Sequence, residues 1–457
     1  MRRAHLGRQP RHGGRVRVRG TRLPRGARRT RLSGPAAGTG RSAAHQAAER
    51  AARESYGRLV AWLAWRWRDL AAAEDALSEA LLAALSTWPE RGVPDSPEAW
   101  LLTAAKRNLL QARRHRAVVE DPAVLAVLER ESPEVADESL PDARLKLLFV
   151  CAHPAIDEQA RTPLMLQAVF GLDAARVASA FLVAPATMAQ RLVRAKQRIR
   201  YAGVAFEEPG PRELPGRLHA VLEAIYAAYG TGWEATLGPD GDDGPASVAD
   251  PYAGFAEEAL YLAGLVAALL PGEPEALGLQ ALLGFSEARR AARLDDAGRF
   301  VPLVAQDTTR WDHARIAAAD QALWHAAQRQ SPGPFQLEAA IQSAHCQRAY
   351  RGSTPWPAIA ALYEALMQVA PSIGSAVGRA VAVAEAGELA RGLALLDALA
   401  PAAVASYQPF WVARAHLLAL TGSPGDARRA FERALGLTRQ RSLAAHLRAR
   451  QAALPPA

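Results

Sequence analysis

Apolar positions recur at helical spacing along most of the chain. In residues 71–88, Leu77, Leu81, Leu85 and Trp88 fall three or four apart on one face, with Asp75, Ser78 and Glu79 turned away and Glu74 at the border. Pro89 is expected to end this helix, and Gly92 and Pro94 to break the polar loop after it. Ser96-Pro97-Glu98 restarts a helix to about Arg116: a serine cap, a proline in the first turn and an acid suited to the helix dipole. Residues 117–142 carry eight acids against Arg130 alone, plus three prolines, and read as a linker with room for a short helix over 123–128. Helical patterning resumes at 143. It includes a short helix over 172–181, a break at Leu182-Val183-Ala184 and a helix from Pro185 to about Arg200. From 215 to 450 helix follows helix, with breaks expected at 230–250, 271–274, 332–334, 355–357 and Pro401. Near the end Gly387 and Gly422 lie 35 apart, and Ala394/Ala430 and Leu399/Leu435 lie 36 apart, close to the tetratricopeptide period.

Composition supports an all-α protein. Half of the 457 residues are hydrophobic, aromatics are 6%, and long stretches are Ala- and Leu-rich with few β-branched runs. The length suits two to four domains. The net charge of +9 is uneven: residues 1–48 hold 13 of the 52 Arg and no acid, so the remainder is at −4. That Arg- and Gly-rich tail is expected to be disordered, either a basic arm or a translated upstream stretch. Nucleic-acid binding must therefore rest on local basic patches elsewhere. Two cysteines, Cys151 and Cys346, are too few for a disulfide framework and suit a cytoplasmic setting. No stretch is long and apolar enough for a membrane span, and no secretory signal is expected.

The strongest local signal is 172–200, which has the proportions of a helix-turn-helix. Ala178 allows close approach of the two helices. Thr187 and Gln190 lie in the first turns of the second helix, where side chains reach base edges. Arg191, Arg194, Lys196, Arg198 and Arg200 follow to meet phosphates or guanine. The competing reading is an ordinary surface helix with a basic face. In 97–116, Trp100, Thr103, Arg107 and Arg114 share a face, flanked by Lys106, Arg113 and Arg116. An aromatic among cations suits opened strands, because bases stack while phosphates are neutralised; read alone, Trp100 is equally a core residue. The acids Glu74, Asp75 and Glu79 have no His beside them and read as a solvated face or a docking patch for a basic protein surface. No Gly-Lys pair, H-E-x-x-H or G-x-S-x-G occurs, so no catalytic residues, cofactor or metal are expected.

Two nucleic-acid-binding helical modules joined by an acidic linker resemble an RNA polymerase sigma factor of the extracytoplasmic-function type. Ala73-Glu74-Asp75-Ala76-Leu77-Ser78-Glu79-Ala80-Leu81 is similar to the region 2.2 signature. The resemblance implies that Glu74, Asp75 and Glu79 bind core RNA polymerase. It implies that the 89–97 loop captures a flipped promoter base. Ala99-Trp100-Leu101-Leu102-Thr103-Ala104-Ala105-Lys106-Arg107-Asn108 resembles the helix that reads the minus-ten element. Trp100, Thr103, Lys106, Arg107, Asn108, Arg113 and Arg114 would then be its DNA residues. The words from Ala184 to Lys196 resemble the region 4.2 recognition helix, implying minus-thirty-five contacts by Thr187, Gln190, Arg191, Arg194, Lys196 and Arg198. Asp307-Thr308-Thr309-Arg310-Trp311-Asp312, the 333–341 word and the 379–385 word resemble sigma factors with a tetratricopeptide-like extension. The pattern is departed from at Gln111, where an acid is common, and at Gly230-Thr231-Gly232-Trp233.

The expected layout is a tail over 1–48, a region 2 domain over 49–118, an acidic linker over 119–140, a region 4 helix-turn-helix domain over 141–204 and an extension over 215–452. The implied partners are core RNA polymerase, promoter DNA and a regulatory protein on the extension. The alternative is a helix-turn-helix regulator with a helical-repeat interaction domain that does not join polymerase.

Overall fold

The computed structural model describes residues 37–120, 143–181, 183–207, 209, 210, 212–235, 237 and 254–456. The described residues form helices joined by loops, with an isolated antiparallel bridge between Leu294 and Phe300. Most of the Arg-rich tail, most of the acidic linker with its expected 123–128 helix, and residues 238–253 lie outside the described residues.

Helix α1 (Ala37–Trp67) starts inside the stretch expected to be tail. Its six consecutive residues Leu59 to Ala64 are all buried. A helix apolar all round must be enclosed, and α1 packs on α2 (Leu70–Arg91), α3 (Pro97–Glu120) and α4 (Arg144–Cys151). Asp69 caps α2, accepting from the Ala72 N–H at 3.0 Å. Pro89 does not stop α2, contrary to expectation. A proline in the last turn removes one helical hydrogen bond, and the stop comes at Gly92, whose φ of 89° a residue with a Cβ rarely adopts. The core stripe of α2 is Leu77, Ala80, Ala84 and Trp88; Leu85, expected there, is exposed.

Helix α5 (Glu158–Ala168) and α6 (Ala174–Ala180) lead into α7 (Pro185–Tyr201). The turn between α6 and α7 is closed by the Val183 N–H donating to the Ala178 carbonyl at 3.0 Å, and Ala178 is fully buried. Met188, Leu192, Ala195 and Ile199 form the core stripe of α7, each of the larger ones contributing roughly 1.5–3 kcal/mol.

The extension begins with α8 (Leu214–Ala235), which runs straight through Gly230, where a break is expected from sequence. Gly232 lets α8 approach the backbone of α9 (Phe255–Leu269) at Ala256. Helices α10 (Pro274–Ala288), α11 (His313–Ala327) and α12 (Pro334–Cys346) pack together. Glu275 of α10 accepts from the Phe335 and Gln336 N–H groups at 2.9 and 3.1 Å, capping α12 in trans. After the short α13 (Arg348–Arg351) and α14 (Trp356–Val369), two similar helix pairs follow: α15 (Ile373–Glu385) with α16 (Leu389–Asp397), then, past α17 (Pro401–Val404), α18 (Gln408–Leu420) with α19 (Pro424–Leu437). Gly387 and Gly422 end the first helix of each pair at positive φ. α20 (Arg441–Ala452) closes the array.

One hydrophobic core runs from Ala44 to Cys346 and so includes both expected sigma modules and the first helices of the extension; three smaller clusters serve the later pairs.

Candidate nucleic-acid and polymerase interface

Helices α2 and α3 are held together by Trp88 edge-on to Trp100, with ring centroids 5.5 Å apart, and by Asn108 Nδ2 donating to the Ala76 carbonyl at 3.2 Å. Arg58 of α1 pairs with Glu98 of α3. Trp100 is therefore half-buried packing, and Asn108, also half-buried, is spent on a helix-to-helix bond. Thr103, Arg107, Arg113 and Arg114 are exposed along α3. Lys106 lies between, its ammonium 4.7 Å from the Trp62 ring centre; burial, then Arg66, lowers its pKa.

On α2 the three candidate acids part company. Asp75 and Glu79 are exposed. Beside them on the same face lie Leu82, 66% exposed, and Leu85, 40% exposed. Sequence reasoning missed Leu82 as a surface residue and put Leu85 inside, because in an Ala-rich helix two apolar arcs compete and alanine can line either. Glu74, by contrast, is buried and bonded to Lys196 Nζ of α7 at 2.6 Å. Burial raises its pKa, with Lys196 acting against that shift. Its Oε1 has no hydrogen-bond partner among the described residues.

On α7, Thr187, Gln190, Arg194 and Arg198 are exposed and Arg191 is half-buried. Thr187, Arg191, Arg194 and Arg198, with the 154–157 turn and the first residues of α5 up to Arg161, line a cleft of about 670 Å³. Arg191 and Arg194 reach the Gln159 carbonyl and the Gln190 amide oxygen at only 3.4 Å, long contacts that a phosphate would displace. Lys196 does not join them. It lies two residues past Arg194, roughly 200° around the helix, and faces α2. Both Glu74 and Lys196 are thus withdrawn from the surfaces expected for them, for one reason: each is the other's partner.

The extension words turn out to be structural. Asp307 accepts from the Thr309 N–H at 2.9 Å, Trp311 is buried with its indole N–H on Gln306 at 3.2 Å, and Asp312 caps α11. Trp233 lies under Arg293, 4.0 Å from the ring centre.

Among the described residues no group of three or more His, Cys, Asp or Glu is placed to hold a metal, and no helix is long and apolar enough to cross a membrane. Compared with known proteins, residues 52–118 match the model for sigma-70 region 2, and residues 217–327 match a family of unknown function, DUF6596. An uncharacterized protein of Rhizobium meliloti is 35% identical over 389 residues, covering 84% of this chain and 90% of that protein. No solved structure matches. The sigma-70 match gives the chain a general DNA-recognition role of the sigma-factor kind, exercised as a regulator rather than a catalyst. The chain belongs to the same family as the Rhizobium meliloti protein, and its α1–α3 unit is a sigma-70 region 2 domain.

Proposed function

We propose that the protein is a promoter-specificity subunit: it joins core RNA polymerase and directs it to promoters with minus-ten and minus-thirty-five elements. One observation carries this reading. Within region 2, adjacent helices turn two unlike faces outward, acidic and apolar on α2 (Asp75, Glu79, Leu82, Leu85), cationic on α3 (Thr103, Arg107, Arg113, Arg114). An apolar centre rimmed by acids suits a basic protein surface, and the cationic face suits a nucleic acid.

The division of labour follows. The α2 face docks on polymerase. The α3 face and the 92–96 loop hold the opened minus-ten strand, offsetting unstacking of a few kcal/mol per step. Thr187, Gln190, Arg191, Arg194 and Arg198 of α7 grip the minus-thirty-five duplex, the three arginines suited to phosphate or guanine. The extension, with its tetratricopeptide-like pairs, is a scaffold for a regulatory protein. Polymerase makes the phosphodiester bonds.

The test is run-off transcription with purified core enzyme and the full chain, beside a gel shift with and without core. Promoter-specific transcripts and a core-dependent shift are expected. A shift of duplex promoter by the chain alone, with no core association, would instead favour the free-standing helix-turn-helix regulator.

A further inference from the structure

Inside the extension, three tyrosines from separate helical segments gather about one carboxylate. Tyr226 of α8 donates its hydroxyl to Glu338 Oε2 of α12 at 2.8 Å, and its ring stands edge-on to Phe335, with centroids 5.7 Å apart. Tyr363 of α14 and Tyr407, at the start of α18, lie against one face of α15. An added Cβ at Gly378 would run into the Tyr363 ring, and one at Gly374, a turn earlier, would lie 3.2 Å from the Tyr407 hydroxyl. We propose that this cluster is a binding site for an organic cation, an alkylammonium or guanidinium group seated between Glu338 and the tyrosine rings. The proposal goes beyond promoter reading and does not depend on it.

The charge balance of the cluster calls for a cation. Burial raises the Glu338 pKa; the Tyr226 hydrogen bond acts against that shift and the Glu275 charge adds to it. Among the described residues no Lys, Arg or His pairs with Glu338, and its Oε1 accepts no hydrogen bond. Arg379, next to Gly378 in the chain, is spent on Glu364 at 2.6 Å. Glu275 is satisfied differently, by the Phe335 and Gln336 N–H groups and the Gln336 amide. The phenols supply no charge: Tyr363, pushed up to about 12 by burial and then by Glu338 and Tyr407, stays protonated at neutral pH. A carboxylate drawn out of water without a counter-charge is costly, and a cation arriving from outside removes that cost.

The lining favours an organic cation over a bare metal ion. Aromatic faces attract ammonium and guanidinium groups, and phenol oxygens accept from their N–H groups. A hard divalent ion needs several oxygen ligands, whereas only one carboxylate is open here. The half-buried Tyr363 hydroxyl has no hydrogen-bond partner among the described residues and is free to accept. Tyr226, 37% exposed, marks the way in; Glu338, Tyr363 and Tyr407 are half-buried behind it. Phe335, Tyr363 and Tyr407 pack in three different apolar clusters, so an occupant would tie the first body of the molecule to the later helix pairs.

Calorimetric titration of the full chain with butylguanidinium and with butylammonium tests the site, with no polymerase present. Saturable one-to-one binding with a dissociation constant below about 1 mM is expected for at least one of them, together with a raised thermal unfolding midpoint. Glu338→Gln keeps an acceptor for Tyr226 and removes the charge; it should weaken binding at least tenfold without lowering the midpoint of the unliganded chain. Tyr363→Phe should weaken binding about threefold, and Asp426→Asn, an exposed acid elsewhere in the array, should leave it unchanged. A short neutral peptide with one central arginine distinguishes the sources of the cation. Tighter binding than butylguanidinium assigns it to a protein partner, and weaker or equal binding to a free small molecule; either result upholds the site. No saturable binding of either probe by the unaltered chain, or equal binding by Glu338→Gln, overturns it. Should Glu338→Gln not fold, Tyr363→Phe decides, and an unchanged affinity there overturns the site as well. Failure to join polymerase would defeat the promoter assignment alone and leave these titrations untouched.

Discussion

Gly57→Ala isolates the fit between region 2 and the helix-turn-helix unit. Gly57 lies inside α1, where alanine ordinarily stabilises by about 0.5–1 kcal/mol over glycine. Here an added Cβ would overlap the Val169 carbonyl oxygen and lie 2.9 Å from its carbon. The obstacle is backbone on both sides, so no side chain can turn away; α1 must lift from the end of α5. Overpacking of this kind costs about 1–3 kcal/mol or more and outweighs the propensity gain, leaving a net loss of about 1–2 kcal/mol. Gly230→Ala is the control: it too is helical, nothing lies within 4 Å of its added Cβ, and it should stabilise by about 0.5–1 kcal/mol. Urea unfolding followed by circular dichroism reads both, the midpoints moving in opposite directions by some tenths of a molar at a slope of about 3 kcal/mol/M. A Gly57→Ala protein as stable as the parent would mean that α1 is not seated on Val169, and that the single core spanning the two modules is wrong.

Leu82→Asp should weaken association with core polymerase at least tenfold while leaving the helical content unchanged, measured by surface-immobilised core and circular dichroism; equal binding would move the docking face elsewhere. Arg191→Ala with Arg194→Ala should abolish promoter-specific transcripts and lower the salt dependence of DNA binding by about one to two ions, with core binding intact. Glu275→Ala should cost about 1–3 kcal/mol in unfolding experiments, since it strips a charged acceptor from two N–H groups and the Gln336 amide at once. His345 has its pKa lowered to about 4, by burial first and then by Arg289 and Arg348. The folded state thus binds fewer protons than the unfolded one, so this stability is present above about pH 6.5 and is lost as the pH falls towards 4. His345→Gln should flatten that part of the stability profile in acid titration.

The helix-turn-helix was legible because its cues are local: two short helical stretches about a three-residue break, a proline at the start of α7, and an alanine where the helices meet. The region 2 words were legible for the same reason. The two withdrawn residues differ in kind. That Lys196 faces away from Arg194 follows from the 100° turn per residue and was available from the spacing alone. That Glu74 is its partner was not, since nothing near Glu74 in sequence announces a lysine from another module. Leu85 was misplaced because α2 offers alanines on both arcs, and packing against α3 decided between them. The continuity of the core through Phe170 and Phe255 likewise depends on tertiary contact.

The division of the apolar interior into one large body and three small ones beyond it sets what gene rearrangement can do. Deleting or duplicating a whole helix pair after α14 would disturb side chains in adjoining clusters and part α20 from Leu237 and Phe300, but leave the large apolar cluster itself intact. A cut just past α7 would instead strip α8 and α9 from that body and leave Phe170 facing water. Loss or gain of distal units should therefore cost the fold little, while a truncation anywhere before Cys346 should unsettle the whole of the first body.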